Sequence, residues 1–358
     1  MALNNSALPF NGYIPHYRRD ADPFESKLSK EADIAGGIYL TIIGVLSTLG
    51  NGYVIFISAQ KKKKLRPAEI MTVNLAFCDL GISVVGKPFI IASFFCHRWV
   101  FGWSGCRWYG WSGFFFGCGS LITMTAVSLD RYLKICHLSY GTWLKRRHAF
   151  LCLTIIWSYA SFWATLPLVG VGNYAPEPFG TSCTLDWWLA QASKSGQAFV
   201  LCMLVFCLLL PTAVIVFSYV KIIAKVKSSA KEVALFDSRN QNSHTLEIKL
   251  TKVAMLICAG FLIAWIPYAV VSVWSAFGQP DSVPLYFSVV PTLLAKSAAM
   301  YNPIIYQVID CKAKCQKFCC SLLAGKENDS KKSRLYTIST NRKSPDVNKV
   351  PLKTSIGT

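Results

Sequence analysis

Seven stretches of this 358-residue chain are almost without charge: 34–58, 70–96, 108–129, 149–174, 195–220, 253–278 and 282–309. Each holds 22 residues or more. A hydrocarbon core about 30 Å thick is crossed by about 20 helical residues, whereas a barrel strand needs only about 10 with strict alternation. Length and the lack of alternation therefore predict seven membrane-spanning helices. Composition agrees, with 53% hydrophobic residues, 15% charged residues and a mean hydropathy of +0.38. That excludes a disordered chain, and too little polar sequence remains between the blocks for soluble domains. Prolines inside the blocks (Pro88, Pro167, Pro211, Pro267, Pro291 and Pro303) predict bends that neighbouring helices must satisfy.

The distribution of Lys and Arg sets the orientation. With the N-terminus outside, the outer segments carry seven basic and eight acidic residues, and the inner segments 28 basic and nine acidic. The formal charge of +19 is thus almost wholly cytoplasmic. The run Lys61 to Lys64 beside the first span reads as a topology signal, and no basic module interleaved with aromatics suggests nucleic acid. The expected organisation is an outer segment 1–33, a bundle 34–309, an amphipathic helix 310–320 and a disordered tail 321–358. The outer segment lacks the apolar core of a cleavable signal, so the first span inserts the chain, and Asn4 begins a glycosylation sequon. The chain therefore reads as a multi-pass plasma-membrane protein.

Most of the fourteen cysteines lie in apolar blocks, where cysteine acts as a small hydrophobe. Cys106 and Cys183 face the oxidising side and can pin the long outer loop 175–194, with Cys96 as the competitor. Cys311, Cys315, Phe318 and Cys319 share one face of a short inner helix, which puts Cys319 and Cys320 at a depth suited to palmitoylation. A zinc site is the alternative, although this spacing without histidine is unlike the usual ribbons.

Three ionisable groups fall within the bilayer, where each costs at least about 2.5 to 3.5 kcal/mol. Lys296 is ten residues before Tyr306, too deep to snorkel. It is either paired to a bundle carboxylate or an amine desolvated so that it attacks an aldehyde, giving a Schiff base. Asp79 reads as a structural acid or cation ligand facing Asn51 and Asn302, or as part of a signalling element. Lys87 reads as an ion-pair partner or as a charge acting on Lys296.

Three motifs carry a resemblance. Asp130-Arg131-Tyr132 closes the third span, Trp265-Ile266-Pro267-Tyr268 lies in the sixth and Asn302-Pro303-Ile304-Ile305-Tyr306 ends the seventh. Together they resemble the signatures of rhodopsin-like G-protein-coupled receptors over roughly 34–320, and the run 295–303 around Lys296 is similar to that of opsins, specifically a non-visual opsin. The implied fold is an all-α membrane protein, a seven-transmembrane helix bundle with a short amphipathic eighth helix.

What the resemblance implies can be assigned residue by residue. Lys296 would bind retinal, 11-cis and all-trans, with Trp265 and Tyr268 against the polyene. Cys106 and Cys183 would form the outer disulfide. Arg131 would meet a heterotrimeric G protein when the sixth helix swings out, and Tyr306 would rotate inward to hold that state. An inhibitory-type G protein is the family-level expectation. Two departures matter. Visual opsins of vertebrates place a glutamate where this chain has Tyr109, so the expected counterion is Glu177, six residues before Cys183; a solvated loop glutamate is the other reading. Ala313 replaces the phenylalanine that anchors the inner helix in many members.

Lys87 adds a like charge. Two such charges about 8 Å apart repel by about 2 kcal/mol at an effective dielectric near 20. That favours an uncharged Lys296 nitrogen, hence an ultraviolet or violet pigment with a stable visible photoproduct. Tail residues Ser330, Ser333, Thr337, Ser339, Thr340 and Ser344 are expected kinase targets for arrestin recruitment, or simply solubilising. The competing classes are a retinal photoisomerase and a retinal ion pump. Intact Asp130-Arg131-Tyr132 and Asn302-Pro303 argue for signalling against the first, and a lone Asp79 argues against the proton path of the second.

Overall fold

The computed structural model describes residues 13–137, 145–233 and 241–306, with backbone alone for 229–233 and 241–247. The chain divides into a unit Met1–Tyr306 and a second, Gln307–Thr358, which lies outside the described residues. With it fall the expected inner helix, its Ala313 and Phe318, the palmitoylation sites Cys319 and Cys320, and the tail serines and threonines. Asn4 also lies outside the described residues.

Seven long helices carry the first unit: α1 Lys30–Ala59, α2 Pro67–Phe95, α3 Gly102–Cys136, α4 Arg146–Val169, α5 from Lys194 to Val233, α6 Gln241–Phe277 and α7 285–306. The first six are long and apolar enough to cross a membrane. Their ends follow ordinary capping rules. Ser29 Oγ accepts from the Ala32 N–H at 3.2 Å with Glu31 and Asp33 in the first turn, and Ser193 Oγ does the same for the Gly196 N–H at 3.0 Å. Pro67 opens α2, where a missing N–H costs nothing.

Along α1, Leu40, Ile43, Ser47, Asn51 and Val54 face inward, while Ile42, Val45, Leu49 and Phe56 are exposed. The two sets follow the helical period but are both largely apolar. Such an inside-polar, outside-apolar distribution suits lipid as the outer solvent. Inner-half packing centres on Leu75, Leu121, Met124, Ile215, Ile257, Phe261 and Ala298 from five helices.

Proline shapes three of the helices locally. Pro88 and Pro211 are preceded by π turns, Ile82–Gly86 and Val205–Leu209, in which the N–H groups of Lys87 and Leu210 reach back five residues. The wider turn accommodates the proline ring and its missing donor. After Pro167 the α4 helix tightens into a 3-10 turn and stops at Gly170, φ +94°. The expected fourth block, 149–174, therefore overruns the span. Tyr174 belongs instead to a hairpin, because Pro167 and Gly170 end the helix first.

That hairpin, β1 Tyr174–Pro176 and β2 Cys183–Leu185, pairs antiparallel with Pro176 opposite Cys183. A disulfide joins Cys106 at the start of α3 to Cys183, with Cα atoms 5.4 Å apart, and Cys96 is a free thiol. The N-terminal segment is stitched over the hairpin. Trp99 N–H donates to Phe24 O at 2.8 Å, and Lys27 N–H to Phe179 O at 3.2 Å. One helical turn, His16–Arg19, docks beside it, where the Tyr17 hydroxyl donates to buried Asp186 and Arg19 pairs with Asp281 at 2.8 Å. Burial pushes the Asp186 carboxyl up to about 6 against the pull of Tyr17, Asn173 and the Leu189 N–H. The outer end of the bundle is thus capped.

Candidate functional site

Lys296 projects from α7 into the bundle, and its Nζ donates to the Tyr109 hydroxyl of α3 at 2.6 Å, 4.9 Å from that ring's centroid. No carboxylate among the described residues lies within ion-pair distance of it, so the alternative of a lysine held by a bundle acid has no partner here. The amine sits at the edge of a cavity of about 180 Å³ that also touches Tyr109, Gly117, Trp265, Tyr268 and Thr184.

The cavity walls are mostly apolar and have one orphaned donor. Trp265 packs 5.6 Å from Phe261 and 5.9 Å from Tyr268, and its buried Nε1 has no hydrogen-bond partner. Opposite it stands Gly117, where a Cβ would come 3.9 Å from the indole. A side chain longer than alanine at Gly117 would therefore crowd Trp265. A long apolar group anchored at one end fits an apolar slot with a reactive amine at its mouth.

Glu177, on the turn of the hairpin, reaches the Tyr268 hydroxyl of α6, which donates to its Oε1 at 3.3 Å. The same hydroxyl accepts from Trp187 Nε1 at 3.3 Å and is bonded to Thr184 Oγ1. Glu177 is 5% exposed, which discards the solvated-loop alternative. Burial pushes its carboxyl up to about 7, opposed chiefly by the Lys296 charge. It thus faces Lys296 electrostatically while lying beyond direct contact.

Lys87 is buried, and its Nζ donates to Ser83 Oγ at 3.2 Å. It lies within electrostatic reach of both Lys296 and Asp79. Asp79 accepts from Asn302 Nδ2 at 2.6 Å and from Ser120 Oγ at 3.1 Å. Asn51 Nδ2, on the residue expected to face Asp79, bonds the Ala299 carbonyl of α7 at 2.9 Å. The missing i+4 donor of Ala299 explains it, since residue 303 is proline.

At the inner end, Asp130 accepts from Arg131 and from Lys134 at 2.8 Å, which holds the Arg131 guanidinium in the buried interior. The Tyr132 hydroxyl bonds His137 Nε2 at 3.1 Å, and Tyr306 packs on the inner core. Sequence reasoning missed Thr184, Trp187, Ser83 and Ser47. Each is a common residue type whose role comes only from what folding sets beside it.

Comparison with known proteins agrees with this geometry. Residues 50–306 match the family of 7 transmembrane receptors (rhodopsin family). Opsin-5 of Homo sapiens, a neuropsin, is 75% identical over 351 residues, covering 97% of this chain and 98% of that protein. Rhodopsin of Enteroctopus dofleini is 34% identical over 282 residues, 76% of this chain and 62% of its own. The crystal structure of squid rhodopsin superposes with a TM-score of 0.73 at 29% identity, covering 85% of this chain and 84% of that one. These are multi-pass membrane receptors rather than enzymes. With a lysine bonded to a tyrosine at the mouth of an apolar slot and the receptor motifs at the inner end, this chain belongs to the rhodopsin family of seven-transmembrane receptors as an opsin, a light-sensing protein that takes retinal as chromophore and acts on a heterotrimeric G protein.

Proposed function

We propose that this opsin is a short-wavelength, bistable pigment whose Lys296 nitrogen is kept uncharged in the dark. The observation that carries the proposal is the neighbourhood of Lys296: a neutral tyrosine in contact, no carboxylate in ion-pair range among the described residues, and a second buried lysine within electrostatic reach. Retinal, when bound, supplies a conjugated polyene whose geometry changes on absorbing light. Lys296 Nζ anchors it, and Trp265 and Tyr268 shape the slot around it. Lys87 disfavours a proton on Lys296 Nζ by like-charge repulsion, and Glu177 stabilises that proton once it arrives.

Both 11-cis and all-trans isomers are taken up. On the inner side, release of Arg131 from Asp130 frees the guanidinium for the G-protein α subunit, and Tyr132, Asn302, Pro303 and Tyr306 set the two packings between which the bundle switches. An inhibitory-type G protein, a receptor kinase acting on the tail and arrestin complete the set of partners. Asn4 carries a glycan and Cys319 and Cys320 are palmitoylated.

The test is an absorption spectrum after reconstitution with each isomer, paired with light-dependent nucleotide exchange. An ultraviolet or violet dark band that moves to the visible in Lys87→Thr, with exchange lost in Lys296→Ala, is the expected outcome. A visible dark band that Lys87→Thr leaves in place discards the spectral part of the proposal. Exchange that persists in Lys296→Ala discards the covalent part.

A further inference from the structure

A chain of side chains links the α7 bend to Lys87. Pro303 has no N–H, so the Ala299 carbonyl lacks its helical donor. Two α1 residues replace it: Ser47 Oγ donates to Ala299 O at 3.0 Å and Asn51 Nδ2 at 2.9 Å. Ser83 Oγ of α2 lies 2.7 Å from Ser47 Oγ, to which it donates, and 2.8 Å from the Asp79 carbonyl. Lys87 Nζ donates to Ser83 Oγ at 3.2 Å.

The result is a run of donors from Lys87 through Ser83 and Ser47 to the Ala299 carbonyl, every member of it buried. Ser83 Oγ accepts from Lys87 and shares its one proton between Ser47 Oγ and the Asp79 carbonyl. Ser47 Oγ, which also accepts from Asn51 Nδ2 at 3.3 Å, donates to Ala299 O, so the dipoles run from a positive charge at the head. A buried ammonium needs such acceptors, and Ser83 Oγ is the hydrogen-bond acceptor that Lys87 has among the described residues. Its stem is also confined, since a Cβ at Gly44 would lie 3.4 Å from Lys87 Cδ.

We infer that Ser83, backed by Ser47, is a positioning residue that holds the Lys87 ammonium in its charged form and links it to the α7 bend at Pro303, so that pigment colour depends on a serine pair outside the retinal slot. This inference rests on the reading of Lys87 as the charge that acts on Lys296. Movement of α7 at Pro303 pulls on the Ala299 carbonyl, loosens Ser47 and changes the hold on Lys87. By linkage, what stabilises the moved α7 also shifts the pigment.

The experiment is a double-mutant cycle on the full-length, retinal-reconstituted protein, read as the ratio of visible to ultraviolet form across a pH series. Ser83→Ala is expected to raise that ratio about tenfold at fixed pH, the effect of losing one hydrogen bond to a charged group. Ser83→Thr, which keeps the hydroxyl, is expected to match the wild type. In a Lys87→Thr background, Ser83→Ala is expected to change nothing further. Equal shifts in both backgrounds mean that Ser83 acts by packing, and they overturn the inference. So does a Lys87→Thr shift with none from Ser83→Ala. A spectrum unmoved by Lys87→Thr instead removes the underlying role of Lys87, and this inference falls with it. If Ser83→Ala does not fold, Ser47→Ala decides: a shift in the same direction that vanishes in Lys87→Thr is expected, and no shift overturns the proposal.

Discussion

Glu177 is a carboxyl in the wrong solvent. It lies on the turn of the hairpin, where burial pushes its carboxyl up to about 7, above the ordinary range of glutamate, which favours the neutral form as pH falls. As the partner proposed for the Lys296 nitrogen, it supports the visible photoproduct only while ionised. The photoproduct band is therefore expected to weaken as pH falls through about 7, and to lose that step in Glu177→Gln, measured by spectroscopic titration after illumination. A second residue-level prediction concerns Gly180, which has φ +86° and a notional Cβ 1.9 Å from the Glu25 carbonyl. Gly180→Ala forces a left-handed conformation on a residue with a Cβ and pushes the N-terminal segment off the hairpin. A loss of at least about 1–3 kcal/mol is expected, seen as a faster thermal loss of pigment. Gly52 on α1, with nothing within 4 Å of a notional Cβ and away from the retinal slot, is the control that should tolerate alanine.

The outer cap, as an element, depends on one buried acid. Asp186 accepts from Tyr17 and from the Leu189 N–H at 3.1 Å, yet its carboxyl is held up at about 6 by burial. A carboxyl whose folded value is raised favours the folded state in acid, below its unfolded value near 4, and that contribution disappears as pH rises through about 6. Heat stability of the wild type is thus expected to decline between pH 4 and pH 6 relative to Asp186→Asn, by on the order of 2–3 kcal/mol. A flat difference between the two proteins across that window would falsify the assignment. At the inner end, the Asp79–Asn302 bond at 2.6 Å joins α2 to the bend in α7. Asn302→Leu leaves a buried acid short of its strongest donor, so light-dependent exchange is expected to fall well below wild type while retinal uptake persists.

For the molecule as a whole, the anchored ligand and the fold stabilise one another. Retinal loading fills a slot lined by α3, α5, α6, α7 and the hairpin, so it should raise the temperature of unfolding, and Lys296→Ala should lose most of that rise because the ligand then binds without its covalent anchor. A scan with and without retinal on both proteins checks it. Much of this molecule is legible in the one-dimensional chain. Seven uncharged blocks impose spanning helices because lipid offers backbone groups no partner, and the Lys and Arg distribution orients them. The expense of an ionisable group in hydrocarbon marks Asp79, Lys87 and Lys296 without any coordinates, and the resemblance to opsins picks out the last. Cys106 with Cys183, against Cys96 as competitor, and the three receptor motifs are legible through their resemblance to the rhodopsin-like receptors.

Hydroxyl and backbone partners are not visible in that way. A serine at position 83 or 47 has no signal of its own, since the same residue elsewhere bonds its own helix, and only the packing of α1 and α7 on α2 turns the pair into a support for Lys87. Tyr268 likewise becomes the link between Glu177 and α6 only because the disulfide and the hairpin bring Thr184 and Trp187 to its hydroxyl. The sequence by itself determined the membrane topology and the three ionisable groups within the bilayer, because both follow from the free energy of single groups in lipid. The tertiary structure alone decided where Glu177, Lys87 and Tyr109 stand around that amine, because electrostatic and hydrogen-bond energies depend on distances between residues that the chain keeps far apart.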